Sequence, residues 1–342
     1  MDGTPQRAWF TRVVEHARQR YFVRWPAMSN RARFAIFFLS WLLMSGLSAQ
    51  AQLRPEAAAH HSQAPTSDAG CPAADAITAP CSMRILLQGF PFRQQYVTGL
   101  GTISAQGLSA ITDLSLPFGT TEISHDGQFV AYNDCRPSEW ATYVVDLGTS
   151  EKRKVMPIDR GHSCPDVHWS RDDRMLSYVS AADYGLNVVS VDGSRHVRLP
   201  TAGFLVGWHA WSPSGTEIVY EYGRGGSRVL RIIGFRGNVR DLTHLEDIND
   251  CETWLPDWSP DGTLISFTAC RRLYTISPQG AGMKELASAA YSPKWSVDGQ
   301  WIFFLSGDRL MRVRRDGKLL SKVAEIPPPY WSASPFSLGR AR

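Results

Sequence analysis

Four ionisable residues occupy the same position of a repeated pattern, immediately before an apolar residue that a serine follows. They are Glu122, His168, Asp257 and Lys294. Carboxylate, imidazole and ammonium groups gathered in one place are suited to acid–base chemistry or to binding a polar ligand. Because buried charges are costly without partners, the alternative is that these residues pair with one another for structural reasons. We predict a binding role for them, and the alternative stays open at this point.

The sequence lacks the local signatures of common catalytic sites. It contains no G-x-S-x-G turn for a nucleophilic serine and no H-E-x-x-H motif for a catalytic zinc. The nine histidines are scattered, and His168 and His209 lie just before anchors, one and two positions before Trp169 and Trp211. Strand alternation predicts that these two imidazoles point to opposite faces. We therefore expect no catalytic residue, no bound metal and no cofactor.

The four residues belong to a hairpin motif that recurs along the chain. Its copies read EISHDGQFVAY, HWSRDDRMLSYVS, AWSPSGTEIVYEY, DWSPDGTLISFTA and KWSVDGQWIFFLS. The anchor residues, each followed by serine, are Ile123, Trp169, Trp211, Trp258 and Trp295. Their spacings of 46, 42, 47 and 37 residues lie in the range of propeller blades. A further step of 36 residues reaches Trp331, which we predict to be a sixth anchor.

Each copy combines an apolar strand, a tight Ser-x-Asp-Gly turn and an alternating strand, and a second hairpin follows it. Glycines such as Gly127 and Gly262 can supply the positive φ that the turn requires. Two hairpins form a four-stranded sheet, which buries both of its faces only by stacking on its neighbours around an axis. The innermost strands of such a ring border a central channel, and the four ionisable residues are expected there.

The fold that these repeats predict is an all-β, six-bladed β-propeller of four-stranded antiparallel blades. Only eleven residues follow Trp331, too few for three more strands. Three strand-like runs within residues 83–116, MRILLQG, QYVTGLGTIS and LSAITDLSL, can supply the outer strands of the sixth blade. The N-terminal strands would then close the ring. Five closed blades with a separate N-terminal hairpin are the alternative.

A family resemblance rests on the motifs AWSPSG, DWSPDG and KWSVDG, each followed by a β-branched strand and a hairpin of the LYTISPQG type. These motifs resemble the Trp-Ser-Pro-Asp-Gly repeats, of the PD40 type, in TolB-like periplasmic proteins. The resemblance covers about residues 119–325. The resemblance implies a propeller of the cell envelope. This sequence departs from TolB itself, which has a sizeable α/β domain before its propeller.

Six cysteines in a chain with an export leader indicate disulfides. Residues that face each other across a hairpin have residue numbers with a constant sum. In the fourth hairpin Trp258 opposite Thr263 gives a sum of 521, and Cys251 with Cys270 gives the same sum. Cys135 lies twelve residues after its anchor, as Cys270 does, and Cys164 lies five residues before the next anchor. Both should therefore emerge on the same face of the propeller. The predicted pairs are Cys251 with Cys270, Cys135 with Cys164 and, by remainder, Cys71 with Cys81. Free buried thiols are the alternative.

Residues 1–51 have the order of a secretory leader. Arginines precede a 14-residue apolar run at 34–47, and Ala49 and Ala51 fit a small-x-small cleavage pattern. A start at Met28 would give a leader of ordinary length. An uncleaved membrane anchor is the weaker interpretation, because the run is shorter than the roughly 18 residues of a spanning helix.

Residues 52–80 are rich in Ala, Pro, Ser and Gln, which predicts a flexible linker, and residues 81–342 form the predicted propeller. The leader holds seven Arg, one Asp and one Glu, so the remaining chain has 29 basic residues (36 − 7) and 30 acidic residues (32 − 2). Basic charge therefore belongs to the leader, and no nucleic-acid partner is expected.

These features predict an exported, non-catalytic binding or scaffolding propeller that mediates protein–protein interaction in the bacterial cell envelope. We expect a periplasmic or secreted location, an envelope protein as partner and no stable membrane span after leader cleavage. The alternative is a propeller lyase or hydrolase acting on saccharide or peptidoglycan fragments, with His168, Asp257 and Glu122 as the first residues to test.

Overall fold

The structure is a computed structural model, and it describes residues 82–89, 97–104, 107–116, 120–160, 164–180, 182–201, 204–224, 227–244, 251–328, 330 and 336–341. All of them belong to one compact unit, Ser62–Arg342. The predicted leader and linker, the anchor Trp331 and the pair Cys71 with Cys81 lie outside the described residues.

The described residues form 25 strands, which we group by blade. The N-terminal strands are β1 (Met83–Gly89), β2 (Val97–Ser104), β3 (Gly107–Leu108) and β4 (Thr112–Asp113). Blade 1 contains β5 (Thr121–Ile123), β6 (Phe129–Asp134), β7 (Ala141–Asp146) and β8 (Lys152–Pro157). Blade 2 contains β9 (Val167–Trp169), β10 (Met175–Val179), β11 (Leu186–Ser190) and β12 (His196–Arg198). Blade 3 contains β13 (Phe204–Trp211), β14 (Glu217–Arg224), β15 (Ser227–Gly234) and β16 (Val239–Asp241). Blade 4 contains β17 (Thr253–Trp258), β18 (Ile265–Ala269), β19 (Arg272–Ile276) and β20 (Lys284–Ser288). Blade 5 contains β21 (Tyr291–Trp295), β22 (Trp301–Ser306), β23 (Arg309–Arg314) and β24 (Ser321–Glu325), and the last strand is β25 (Ser337–Arg340).

The sheets confirm the predicted ring of six antiparallel blades. In blades 1 to 5 each sheet follows the chain order, from the innermost strand to the outermost. Blade 6 has the order β25-β1-β2-β3, and β4 also pairs with β2. The register Met83↔Arg340 joins the two ends of the propeller within one sheet. The N-terminal strands therefore close the ring around the C-terminal strand, as the missing strands of the last copy predicted.

The Ser-x-Asp-Gly turn is held by the hydroxyl of its serine. In blade 4, Ser259 Oγ donates to Asp261 Oδ1 at 2.6 Å and accepts from Leu264 N at 2.9 Å. Gly262 has a φ of 74° and donates its N–H to the Ser259 carbonyl. The left-handed conformation explains the glycine. In blade 2 the same place is taken by Asp173, with a φ of 55°.

Apolar side chains of the described residues pack between neighbouring blades. Each blade-to-blade junction has its own hydrophobic cluster. Ile218 packs toward blade 2, while its neighbour Val219 packs toward blade 4, because successive side chains of a strand leave opposite faces. The residue nine positions after each anchor is aromatic and fully buried in all five copies: Tyr132, Tyr178, Tyr220, Phe267 and Phe304.

The propeller has two distinct ends. We call the end that carries the Ser-x-Asp-Gly turns the turn face, and the opposite end, which includes residues 135–140 and 270–271, the loop face. Two disulfides lie on the loop face, Cys135–Cys164 and Cys251–Cys270, with Cα–Cα distances of 5.6 and 5.4 Å.

The hairpin register that suggested the second disulfide differs from the observed one. Trp258 pairs with Ile265, not with Thr263, because the turn contains two more residues than the prediction assumed. A bulge between Trp254 and Asp257 then shifts the ladder by one position. The cysteines lie just beyond the end of that ladder, where the remaining offset is small enough for them to meet.

Candidate functional site

The innermost strands bring the four predicted residues together at the centre of the ring. Glu122 lies on β5, His168 on β9, Asp257 on β17 and Lys294 on β21. Each is followed directly by its anchor, which packs between blades, so strand alternation turns the preceding side chain toward the channel. The four side chains are largely buried, with 12 to 19% of their surface exposed to solvent. Ala210 holds the equivalent position of blade 3 and leaves that side of the channel without a charge.

Lys294 links three blades across the channel. Its Nζ lies 3.7 Å from Glu122 Oε1 in blade 1 and 3.7 Å from Asp257 Oδ1 in blade 4. His168 Nδ1 of blade 2 lies 3.3 Å from the same oxygen of Glu122. The mutual pairing that was left open as an alternative is therefore present in the structure. We call these four residues the charged ring.

The carboxylates of the charged ring also bind the neighbouring blade. Glu122 Oε2 accepts the backbone N–H of Trp169 at 2.6 Å, and Asp257 Oδ2 accepts that of Trp295 at 2.7 Å. Each acceptor thus holds the anchor of the next blade. In blade 6, Ser337 Oγ accepts the N–H of Ile123 at 3.0 Å. By this equivalence Leu338, the residue after Ser337, holds the anchor position of blade 6, which the repeat spacing had assigned to Trp331.

Ionisation within the charged ring follows from this pairing. Burial alone would raise the pKa of Glu122, but the positive charges of His168 and Lys294 and the hydrogen bond with His168 lower it to about 2. Burial likewise opposes the charge on Lys294, yet Asp257 and Glu122 raise its pKa above the ordinary value. For Asp257 burial prevails over the attraction of Lys294, so the pKa is raised.

His168 and His209 leave opposite faces of their own blades, as strand alternation predicted, and these two faces meet between blades 2 and 3. Their rings meet edge to face, with centroids 4.4 Å apart. His209 lies on the same side of β13 as Trp211, toward blade 2, because the ladder from His209 to Trp211 is regular and the bulge at Gly207 precedes it. What the sequence did not show is that the facing sides of two neighbouring blades bring these two rings together.

His209 forms a buried junction between blades 2 and 3. Its Nε2 lies 2.8 Å from Ser177 Oγ, and its Nδ1 lies 3.0 Å from the Gly207 carbonyl. The carbonyl requires an N–H at Nδ1, which makes Nε2 the acceptor of the serine hydroxyl. Burial, reinforced by the charge of His168, lowers the pKa of His209 to about 3. Trp211 Nε1 donates to Ser177 Oγ at 2.7 Å, so this serine of blade 2 contacts two residues of blade 3.

Sequence reasoning missed three further residues near the channel. Glu221 is fully buried, accepts the N–H of Leu255 at 2.8 Å, and has its pKa raised well above the ordinary value by burial. Burial also raises the pKa of Asp166, which lies at the loop-face mouth of the channel. Arg171 lies at the turn-face mouth. None of them precedes an anchor, so the repeat pattern carried no signal for them.

The charged ring divides the channel into two small cavities. The loop-face cavity measures about 20 Å³ and is lined by apolar groups of Trp208, Leu255, Pro256 and Phe336 beside the ring. The turn-face cavity measures about 50 Å³ and also contacts Arg171 and His125. Glu122, His168 and Lys294 border both cavities. Since one water needs about 10–15 Å³, the first cavity has room for about one water and the second for a few.

Within the residues that the structure describes, no group of three or more His, Cys, Asp or Glu side chains is arranged to hold a metal ion. The same residues contain no helix with the length and apolar character needed to cross a membrane.

Comparisons with known proteins identify the class to which this fold belongs. TolB from Acinetobacter baumannii superimposes with a TM-score of 0.61 at 15% identity, over 76% of this chain and 67% of that one. A putative TolB from Agrobacterium tumefaciens gives 0.53 at 20% identity, over 71% and 89%. A chain of the nidogen/laminin complex gives 0.55 at 10% identity, over 75% and 98%. The chain is a TolB-like six-bladed β-propeller in fold.

Sequence comparison adds one curated relative. An uncharacterised protein of Agrobacterium fabrum is 25% identical over 186 residues, which cover 49% of this chain and 57% of the relative. The chain therefore matches little more than half the length of that protein. No family model matches the sequence.

Proposed function

We propose that the protein is an exported, non-catalytic binding or scaffolding propeller that mediates protein–protein interaction in the bacterial cell envelope. The observation that carries this proposal is the pairing within the charged ring. Glu122 and Asp257 are bound to Lys294 and to the anchor amides of the next blades, so they serve the propeller itself. Recognition then falls to the two faces around the channel.

The loop face is the better docking surface for a protein partner. Trp208, Leu255, Pro256 and Phe336 present apolar groups around its channel mouth. Two disulfides join loops on this face, between cysteines that are 29 and 19 positions apart in the sequence. Cross-linked loops lose little further freedom when a partner binds, which favours affinity.

Support for an envelope location comes from two sources. The pattern of residues 1–51 is typical of an export leader, and two cysteine pairs at disulfide distance suit an oxidising compartment. The similarity in fold to TolB structures is consistent with a periplasmic or secreted binding protein. The proposal includes an envelope protein as partner and no nucleic acid.

Photo-crosslinking in living cells tests this function. A photoreactive residue is placed at Ser138 or Arg271, exposed loop-face residues close to the disulfides, and at Val197 or Glu325 on exposed outer strands as matched controls. We expect one envelope protein to be captured from the loop-face positions and not from the controls. Equal capture at all four positions, or capture of no protein at any of them, would contradict the proposal.

A second candidate function is a lyase or hydrolase acting on saccharide or peptidoglycan fragments. One observation favours it, namely that His168 and Asp257 line the same turn-face cavity. Against it, the cavity has room for only a few waters, and Asp257 is already bound to Lys294 and Trp295. Product release from peptidoglycan fragments by wild type, lost in both His168→Ala and Asp257→Ala, would establish this activity in place of the scaffold.

A further inference from the structure

The turn-face cavity carries an inference that does not depend on docking at the loop face. It lies between the Ser-x-Asp-Gly turns, on the outer side of the charged ring. Its polar walls include Arg171, His125 and Lys294, and indole rings of the anchors complete it. A concave site with a few convergent polar groups is the usual form of a small ligand site.

Arg171 is the group in this cavity that lacks a counter-charge. It lies two residues after the anchor Trp169, and its Nη2 reaches across the channel to the Val297 carbonyl of blade 5 at 3.4 Å. No carboxylate of the described residues lies within 4.0 Å of its guanidinium. By contrast Arg315, at a turn of blade 5, forms an ion pair with Asp261 at 2.8 Å. A half-buried guanidinium with a single long hydrogen bond leaves most of its donors available.

The acids near Arg171 are already engaged elsewhere. Both carboxylates of the charged ring bind Lys294 and an anchor amide. Asp173 accepts the backbone N–H groups of His125 and Asp126 and contacts the His125 ring. Burial lowers the pKa of Arg171, and the positive charge of Arg340 acts in the same direction, against the distant attraction of Asp257 and Asp173.

Two of the anchor tryptophans that line this cavity carry an unsatisfied buried donor. Trp258 Nε1 and Trp295 Nε1 are buried and have no hydrogen-bond partner among the described residues. In the earlier copies the same atom is satisfied, because Trp169 Nε1 donates to the Glu122 carbonyl and Trp211 Nε1 donates to Ser177 Oγ. Both unsatisfied indoles belong to side chains that line the turn-face cavity.

We propose that the turn-face cavity binds a carboxylate group, with the guanidinium of Arg171 as its principal contact. A cavity of about 50 Å³ accommodates a group the size of a few waters, which suits a carboxylate. The planar fork of a guanidinium matches a carboxylate in two parallel hydrogen bonds. The nearby charges of Glu122 and Asp257 disfavour a dianion such as sulfate.

A peptide can offer this carboxylate at its C-terminus or on an acidic side chain, and three probes separate the sources. N-acetylalanine carries the C-terminal carboxylate alone, and N-acetylglutamate α-amide carries the side-chain carboxylate alone. N-acetylalanine amide has neither. Each probe is titrated into the full chain while the indole N–H resonances are followed by NMR, because four anchor tryptophans line the cavity.

We expect saturable shifts of indole resonances with at least one carboxylate probe and none with the amide. Arg171→Gln should weaken that binding by at least about tenfold, since it removes the ionic fork. Arg174→Gln is the matched control, because this exposed arginine lies close in sequence but does not line the cavity. Arg171→Lys retains the charge without the fork and should bind with intermediate affinity.

Three results would overturn the proposal. The first is an absence of saturable shifts with both carboxylates in folded wild type. The second is equal affinity in Arg171→Gln and Arg174→Gln; where Arg171→Gln does not fold, unchanged affinity in folded Arg171→Lys decides in the same way. The third is binding of sulfate as tight as that of the carboxylates, which would refute the assignment to a carboxylate.

Discussion

Lys294 is the residue on which the charge balance of the channel depends. Its ammonium group is the cation that Glu122 and Asp257 share, at 3.7 Å from each. Removing one partner from a buried ion pair leaves an uncompensated charge, which costs more than the pair itself contributes. The cation therefore matters less as a source of stability than as the condition for burying two carboxylates.

Lys294→Met tests this role, because methionine fills a similar volume without charge. We expect the free energy of unfolding at pH 7, measured by urea denaturation, to fall by about 3 kcal/mol. Lys322→Met is the control, since Lys322 pairs with Glu325 at 3.3 Å where both side chains are more than half exposed, and its loss should stay below about 1 kcal/mol. Equal losses in the two variants would refute the role of Lys294.

At the scale of the element, bulges in the innermost strands decide which side chains meet. β13, β17 and β21 each contain a register shift before the anchor. Gly207, Leu255 and Ser292 have positive φ angles at these places. In β17 the irregularity frees the Leu255 amide from the ladder, and Glu221 of the neighbouring blade accepts its N–H. Blade junctions in this propeller therefore rely on irregular strands.

His209 makes the stability of its junction dependent on pH. Its pKa is lowered to about 3 in the folded protein, so only the unfolded chain takes up the proton between pH 6.5 and 3. Stability is then fully present above about pH 6.5 and falls as the pH decreases, by up to ~1.4 kcal/mol per pH unit. We expect His209→Gln to lose this slope in urea denaturation curves measured from pH 7 to pH 4.

The matched control for that experiment is His196→Gln on the exposed strand β12. Its profile should follow that of wild type, because His196 is not part of a buried junction. A wild-type profile parallel to that of His209→Gln would show that His209 takes up its proton equally in both states, contrary to the expectation.

At the scale of the whole molecule, closure of the ring depends on the contact between blades 6 and 1. The closing strand β25 lies beside the first turn, where Arg340 N donates to the His125 carbonyl at 2.9 Å. Gly127 in that turn has a φ of 72°, and a Cβ built there would overlap the carbonyl oxygen of Arg340. This glycine is required both by its backbone conformation and by the close approach of β25.

Gly127→Ala separates these two requirements when compared with Gly282→Ala. Gly282 has a similar φ of 68°, but a Cβ there meets no atom within 4 Å. We expect Gly282→Ala to cost about 1–2 kcal/mol from its backbone conformation. Gly127→Ala should cost at least about 1 kcal/mol more, because β25 must also shift. Equal costs in urea denaturation would show that the closing strand is not in tight contact with the turn.

The repeats made the fold predictable, whereas the site was predictable only in part. An anchor, a Ser-x-Asp-Gly turn and an alternating strand are local features, and their recurrence indicated stacked blades. The position before each anchor also located the charged ring. Arg171 was not foreseen, because an arginine in a turn normally lies in solvent. The contact of His209 with Ser177 joins two blades, and no local pattern indicates which side chains meet across a junction.

The sequence by itself determined the blades, the turns and the closure by N-terminal strands, because each depends on short-range patterns and on the number of strands left at the C-terminus. The tertiary structure alone decided how the charges are distributed. Glu122, Asp257 and Lys294 come from three blades, and only the curvature of the ring brings both carboxylates within 4 Å of the Lys294 ammonium group. The same curvature places Arg171 opposite blade 5 without a carboxylate of its own, since long-range contacts depend on packing that no local pattern encodes.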